Sequence, residues 1–413
     1  MKVLLIGNGG REHAIGWKLA SSPRVDELIS LPGNPGLARL GPIVEGIAAT
    51  DVGAIAAMAR VHGVDLVVVG PEGPLAAGAV DAVANLGIPV FGPTRAAARL
   101  ESSKTFAKEV MTRAGVASAS SRSFADPAGA KDYLGDRDGP FVVKADGLAA
   151  GKGVLVTSSR DEASAWVDHC LEGGFGSAGM SVLIEDFLEG PEVSVFAVCT
   201  ERGAVALEPA RDYKRLLDGN GGPNTGGMGA YSPVADLPGD LVTSTMRDVV
   251  EPTLAQMAEQ GSPFHGFLYA GMVLTPDGPK VLEFNVRLGD PETQAVLPRL
   301  ESDLIDLLEG AEPSWSEIAT VNVVLAAKGY PDSPQPGDRI KGLDSIPEDV
   351  LVFHAGTATD GARVVVDGGR VLNLVGSGPT LDAARDRAYA AVGAVGWPGM
   401  QFRTDIASGT AQS

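Results

Sequence analysis

Cysteine is nearly absent: Cys170 and Cys199 are the only two in 413 residues. Two thiols build neither a disulfide framework nor a thiolate zinc site, and both lie among apolar neighbours, so each reads as a buried thiol. Long apolar runs are also missing. None approaches the ~18 residues of a membrane helix, and Met1-Lys2 leads straight into a strand rather than a signal peptide. Positive charge is the third deficit. Lys and Arg number 33 against 52 Asp and Glu, a net charge of −19, which disfavours nucleic acid and anionic membranes as partners. No Cys–His or Ser–His arrangement offers a nucleophile, and there is no internal repeat or low-complexity tract. What remains is an acidic chain with 44% hydrophobic residues, long enough for roughly two to four domains and suited to a cytoplasmic enzyme.

In so acidic a chain, an anion site must be built locally from cations and backbone N–H groups. The stretch 140–154, PFVVKADGLAAGKGV, has that composition. A β-rich run, Phe141-Val142-Val143, delivers Lys144. Gly147, Gly151 and Gly153, with small alanines between them, then leave the backbone unobstructed, and Lys152 stands near the end. Such a loop can bring N–H groups and lysine charge to a polyphosphate; the alternative is a flexible hairpin with solvated lysines. It is not a P-loop. Only three residues separate Gly147 from Gly151, and Gly153 stands where a Ser or Thr is needed.

From the start, residues 2–7 (KVLLIG) predict a buried strand, then a glycine turn, Asn8-Gly9-Gly10-Arg11-Glu12, and a helix to about Ser21. This opens a βαβ unit. Glu12 replaces the last glycine of the dinucleotide fingerprint and no acidic residue ends the next strand, so a phosphate held by Gly9, Gly10 and Arg11 is the better functional reading. A tight turn with a surface arginine is the alternative. Strands at 64–70 and 88–92, with helices around 51–61 and 74–86, continue the alternation. Their C-terminal ends would gather Gly10-Arg11, Asn34-Pro35-Gly36 and Pro71-Glu72-Gly73 around a small anion. A helix over 103–113 carries Lys104 near its start and precedes a strand from Val116. Asp126-Pro127 and Ser159 to Glu162 open two further helices, and residues 117–185 read as a small α+β lid.

Glu185-Asp186-Phe187-Leu188 then leads to Gly190-Pro191-Glu192 and a strand. The Phe187-Leu188 pair is suited to sandwich a purine, and Glu192 to accept ribose hydroxyls; a plain linker is the alternative. Residues 211–233 predict a long loop carrying Asp212, Lys214 and Arg215, of a length that is usually functional. In the hairpin 267–285, Glu283, Asn285 and Arg287 alternate onto one side. Paired hard oxygens on a strand suit Mg²⁺, with Arg287 taking an anion. Short strands at 321–327, 352–354, 363–366 and 371–375 and a helix to about Val395 follow without a catalytic constellation, and His354 reads as structural.

The series Lys104, Lys144 with its glycine flap, the Glu-x-Phe-Leu hinge with Glu192, and Glu283-x-Asn285 resembles the ATP-grasp ligases. Further motifs, GNGGREHA at 7–14, GPE at 70–72, FGP at 91–93, KADGLAAGKGV at 144–154, GPNTGGMGAYSP at 222–233 and LEFNVRLGDPETQ at 282–294, are similar to the phosphoribosylamine–glycine ligase (glycinamide ribonucleotide synthetase) family over nearly the whole chain. The resemblance implies a multidomain α/β and α+β fold. Its parts would be a Rossmann-like N-terminal domain (1–102), an ATP-grasp lid (103–187), an ATP-grasp large subdomain (188–315) and a small β-rich C-terminal domain (316–413).

It also implies roles. ATP would be bound by Lys104, Lys144, Gly151, Lys152, Gly153, Glu185, Phe187, Leu188 and Glu192, and Mg²⁺ or Mn²⁺ by Glu283 and Asn285. Gly9, Gly10, Arg11, Glu72, Asp212, Arg287, Gly289 and Asp290 would line the sites for glycine and 5-phosphoribosylamine, with Arg287, Asp212 and Lys144 as the catalytic group. Many ATP-grasp relatives carry a further metal-binding carboxylate on the strand before Glu283; residues 267–274 contain none. The expected reaction is ATP-dependent ligation through glycyl phosphate, the second step of purine synthesis, by a cytoplasmic monomer or dimer. A carboxylating ATP-grasp ligase and a non-catalytic nucleotide-binding regulator are the competing readings.

Overall fold

The computed structural model describes residues 1–149 and 152–409. Its first unit alternates β1 (Lys2–Gly7), α1 (Gly10–Ala20), β2 (Glu27–Pro32), α2 (Val52–His62), β3 (Leu66–Val69), α3 (Glu72–Ala77), α4 (Ala79–Ala84) and β4 (Val90–Phe91). The strands pair in parallel in the order β2-β1-β3-β4. Helices cover both faces of such a sheet, which is why its strands read as continuous apolar runs. The single helix expected over 74–86 is two, because Gly78 adopts φ +95° between them.

The chain then forms α5 (Arg99–Ser102) and α6 (Lys104–Ala114), the latter capped by the Ser103 hydroxyl. Val116 opens no strand. The next, β5 (Ser121–Phe124), starts later, and the intervening residues make only a bridge from Ser118 to Val281. α7 (Pro127–Gly135), β6 (Phe141–Ala145), β7 (Val154–Thr157), α8 (Arg160–His169) and β8 (Val182–Asp186) complete the expected lid, an antiparallel sheet β5-β8-β6-β7. One face packs Phe124, Phe141, Val143 and Ile184 with Val167 of α8. The alternate positions, Val142, Lys144, Val154, Val156 and Glu185, turn the other way, toward α6.

The next, larger unit and the segment inserted in it comprise β9 (Glu192–Thr200), β10 (Gly203–Ala206), β11 (Arg211–Asp212), β12 (Arg215–Leu217), β13 (Gly221–Asn224), β14 (Gly229–Ser232), α9 (Leu241–Thr245), α10 (Glu251–Glu259), β15 (Gly266–Thr275), β16 (Gly278–Asn285), α11 (Glu292–Val296) and α12 (Leu304–Leu308). Strands β10-β9-β15-β16 form one antiparallel sheet. Val193, Val195, Ala270, Met272 and Phe284 bury one face. The register sets Ser194, Tyr269, Glu283 and Asn285 on the other. Residues 211–233 are not a loop. β12 and β13 make an antiparallel ribbon, while β11 pairs with β14 and β14 with β17 (Ala319–Ala326). This partner lies about ninety residues downstream, beyond any local pattern in the sequence.

The C-terminal unit adds β18 (Leu351–His354), β19 (Thr357–Asp360), β20 (Arg363–Val366), β21 (Arg370–Gly378) and α13 (Leu381–Ala394). Its sheet runs β11-β14-β17-β21-β18, so two of five strands, β11 and β14, come from the preceding unit and flank the β12–β13 ribbon in sequence. Ala384, Ala388 and Ala391 of α13 join Val321, Val323 and Leu374 in its core. Both cysteines are buried and unbridged, and burial pushes the thiols up to about 11 at Cys170 and about 12 at Cys199. Among the described residues no helix is long and apolar enough to cross a membrane.

Candidate active site

Two lysines from different elements meet one carboxylate where the lid faces α6. Lys144 on β6 places Nζ 2.7 Å from Glu185 Oε2, and Lys108 on α6 places Nζ 3.1 Å from Oε1 of the same group. Lys108 also donates to Ala119 O. The Glu185 side chain therefore anchors lysines rather than reading a purine edge, which revises the expectation for it. Lys104 Nζ donates to Gly147 O at 2.9 Å, at the root of the glycine flap. Burial lowers the Lys104 pKa, while Glu283 opposes the shift; this lysine thus lies within electrostatic reach of both Glu283 and Lys144. Asp146 holds the geometry: its Oδ1 accepts from the backbone N–H of Lys104 at 2.6 Å, tying the flap to the start of α6.

The flap residues divide. Gly153 O accepts from Ala145 N at 2.7 Å and continues the hairpin. Lys152 is exposed and makes no side-chain ion pair among the described residues. Gly151 lies outside the described residues. Phe187 is 45% exposed and lines a cavity of about 220 Å³ with Phe141, Ile184 and Glu185. On the lysine face of the lid sheet, Val154 and Val156, the latter 41% exposed, add apolar surface.

A second cluster lies on the polar face of the large sheet. Lys214 Nζ is 2.8 Å from both Glu192 Oε2 and Asp212 Oδ1. Burial would lower the Lys214 pKa, but Asp212 and Glu192 raise it well above the ordinary lysine value. Nearby, Ser194 Oγ lies 3.1 Å from both Tyr269 Oη and Glu292 Oε1. Burial, then the charge of Asp212, pushes the Glu292 carboxyl up to about 7.

The third cluster joins the N-terminal domain to the end of β16. Arg287 donates from Nε to Glu72 Oε2 (3.2 Å), and from NH2 to Glu101 Oε1 (2.8 Å) and Asn285 Oδ1 (2.9 Å). Burial would raise the Glu72 pKa, yet Arg287 and Arg11 hold it down to about 2. The phosphate seat expected of Gly9, Gly10 and Arg11 is filled from within. Gly9 N–H donates to Glu12 Oε2 (2.7 Å), and Arg11 Nε donates to Glu12 Oε1 (2.5 Å). A Cβ on Gly10 would lie 2.3 Å from Asn373 Nδ2. Glu12 thus explains the failed dinucleotide fingerprint: its carboxylate satisfies the turn that a pyrophosphate would otherwise occupy. Asp290 accepts from Arg11 N (3.4 Å) and Gln294 Nε2 (2.8 Å), and Gly289 is required because a Cβ there would meet Glu292 Oε2 at 2.5 Å.

The expected metal pair survives a chemical test. Glu283 accepts no hydrogen bond and makes no ion pair among the described residues, and Asn285 offers an amide oxygen two positions along the same face. Gly271 stands opposite Glu283, so the neighbouring strand supplies no carboxylate there. No group of three or more His, Cys, Asp or Glu side chains gathers around a metal position among the described residues. A sparse, hard-oxygen set of this kind fits Mg²⁺ that completes its shell with phosphate and water. Lys108, Asp146, Glu101, Glu292 and Arg370 of the three clusters and their borders were not read from the sequence. Lys108 had a signal, since it follows Lys104 by one helical turn; the others act through long-range contacts.

Comparison with known proteins gives one answer along the chain. Residues 1–101, 102–293 and 320–409 match, in turn, the phosphoribosylglycinamide synthetase N domain, its ATP-grasp (A) domain and its C domain. The chain is 48% identical to a phosphoribosylamine–glycine ligase of Streptomyces coelicolor over 99% of both chains. It is 47% identical to that of Mesorhizobium japonicum, over 98% of this chain and 97% of the other. The crystal structure of phosphoribosylamine–glycine ligase from Thermotoga maritima superposes with TM-score 0.84 at 35% identity, covering 98% of this chain and 100% of that one. A biotin carboxylase domain of 2-oxoglutarate carboxylase from Hydrogenobacter thermophilus, solved with MgADP, shares the fold alone: TM-score 0.74 at 17% identity, over 97% and 91% of the two chains.

Proposed function

This chain belongs to the phosphoribosylglycinamide synthetase family, and from that we infer that it ligates glycine to 5-phosphoribosylamine, forming glycinamide ribonucleotide, ADP and phosphate. This is the second step of purine synthesis. What supports the reading at the level of chemistry is that Lys104 feels the charges of both Glu283 and Lys144, with Glu283 making no ion pair among the described residues. Glycine's carboxylate is a poor electrophile. One of its oxygens attacks the γ-phosphorus of ATP, ADP leaves, and glycyl phosphate results. The amine nitrogen of phosphoribosylamine then attacks the acyl carbon, loses a proton and expels phosphate, closing the amide.

The residues serve this by positioning and charge rather than by covalent attack. Lys144, held by Glu185, and Lys104, held by the flap root, would neutralise the transferring phosphoryl group. Val154 and Val156 offer the adenine an apolar wall, with the backbone of Phe187 and Leu188 at its edge and Glu192 near the ribose. Glu283 and Asn285 would hold Mg²⁺ or Mn²⁺, which when bound supplies positive charge to the phosphate oxygens. Arg287 and Asp212 would face the acyl phosphate, and Asp290 the amine substrate, with Gly289 supplying backbone rather than side-chain contacts. Lys152, on the closing flap, would help to exclude water from the acyl phosphate. We place the enzyme in the cytoplasm, as a monomer; two unbridged thiols suit a reducing compartment.

Steady-state ADP formation tests this reading. Turnover is expected with glycine plus phosphoribosylamine, lost with EDTA and restored by Mg²⁺. Turnover seen only with bicarbonate plus aminoimidazole ribonucleotide would overturn it.

A further inference from the structure

We propose that Arg370, at the start of β21 in the C-terminal domain, is a positioning residue of the active site, setting Asp290 and the Gly226–Gly227 segment for the phosphoribosylamine end. The inference rests on the functional reading above, and nothing in the sequence of this domain pointed to it. Arg370 NH1 donates to Asp290 O at 2.6 Å, to Gly226 O, and to Gly227 O at 3.5 Å, while NH2 lies 3.5 Å from Asp290 Oδ1. A single guanidinium therefore ties three segments far apart in sequence: β21, the turn before α11 and the end of the glycine ribbon.

The packing leaves room for no substitute. A Cβ on Gly226 would lie 3.0 Å from the Arg370 guanidinium carbon, and one on Gly227, at φ +109°, would lie 2.4 Å from Pro291. The two glycines let the ribbon pass flat against the arginine. Tyr330, also of the C-terminal unit, completes the clamp: its hydroxyl oxygen accepts the Gly226 N–H at 2.9 Å. On its other side Asp290 receives Arg11 N–H of α1 and Gln294 Nε2. Burial would raise the Asp290 pKa, but Arg370 and then Arg11 hold it below the ordinary carboxylate value. The carboxylate is thereby kept ionised where groups of the N- and C-terminal domains meet it. A planar, five-donor fork can hold a carbonyl, a carboxylate and two ribbon carbonyls at once; an ammonium group lacks that geometry.

The test uses the full chain with Arg370→Ala and Arg370→Lys, measuring kcat and KM separately for ATP, glycine and phosphoribosylamine, with thermal unfolding alongside. A geometric slip of this kind costs on the order of 100-fold, so kcat/KM for phosphoribosylamine is expected to fall about that far in Arg370→Ala while KM for ATP stays within about threefold. Arg370→Lys should recover only part of the loss, because charge without the fork does not restore the geometry; if Arg370→Ala fails to fold, Arg370→Lys decides alone by the same split. Phosphoribosylamine kinetics within about threefold of the unsubstituted chain, or an equal loss for all three substrates, would overturn the proposal. Failure of the functional reading itself would look different: the unsubstituted chain would show no glycine-dependent ADP formation.

Discussion

Lys144 illustrates how a single buried charge is held by its partners. Its ammonium is buried against Glu185, which Lys108 shares from a second element. Removing Lys144 leaves Glu185 still paired, so Lys144→Met should remain folded while kcat falls by at least about 100-fold; an ADP-release assay with circular dichroism checks both halves, and normal turnover would remove the phosphate role from this lysine. Glu292 makes the opposite case, a carboxyl disfavoured in its charged form. Its pKa rises from 4.5 in the unfolded chain to about 7 in the folded one. The folded state therefore holds the proton more tightly. Stability owed to this group is fully present below pH 4.5 and is lost as pH rises through about 7. Glu292→Gln should remove that slope, the difference between the two chains changing by up to about 3 kcal/mol across the window. Denaturant unfolding at pH 5 and pH 8 measures it; parallel pH profiles for the two chains would contradict the assignment.

At the level of elements, α1 shows why a helix start can look like an anion site and be none. Its N-terminal N–H is already met by Glu12, and Arg11 is folded onto the same carboxylate. The helix is instead an assembly point. Gly10 touches Asn373 of β21 and Gln294 of α11, and the backbone N–H of His354 on β18 donates to His13 Nδ1 at 2.8 Å. Burial lowers the His13 pKa to about 3, which keeps that nitrogen free to accept. A methyl group at Gly10 has no space, so Gly10→Ala should destabilise the protein by about 1–3 kcal/mol. Chemical denaturation reads this directly, and an unchanged midpoint would mean that the contact relaxes freely. The hairpin β15–β16 is simpler. Alternation over residues 283–285 sends Phe284 to the core and Glu283 and Asn285 to the opposite face, as their spacing predicts, with a bulge just before them.

Across the whole molecule, the strongest coupling is the exchange of strands between units. β14 leaves the ATP-grasp region to pair with β17, and β11 follows it into the C-terminal sheet. The tail strengthens this link. Arg403, only 1% exposed, donates to Arg215 O, Asn220 Oδ1 and Asp405, and stacks 4.7 Å over Tyr213. A chain ended at residue 315 would strip β14 of its partner and expose the apolar side of the ribbon. Such a chain should be aggregation-prone and inactive with glycine. Size-exclusion chromatography and the ADP assay test this; a soluble, active truncation would show that the C-terminal unit is dispensable.

The sequence by itself determined what depends on local periodicity and on residue chemistry. This covers the parallel N-terminal sheet, the antiparallel lid sheet with its capped helices, and the shared face of Glu283 and Asn285. Those signals repeat every two or 3.6 residues, or sit within one motif, so they are legible along the chain. Tertiary structure decided everything that joins distant segments. It turned the 211–233 stretch into strands, gave Glu185 to two lysines, and brought Arg370 against Asp290. Each of these is a contact between groups whose separation in sequence carries no period. The fold alone determines that they meet, because burying charge is tolerable only where a partner waits in space.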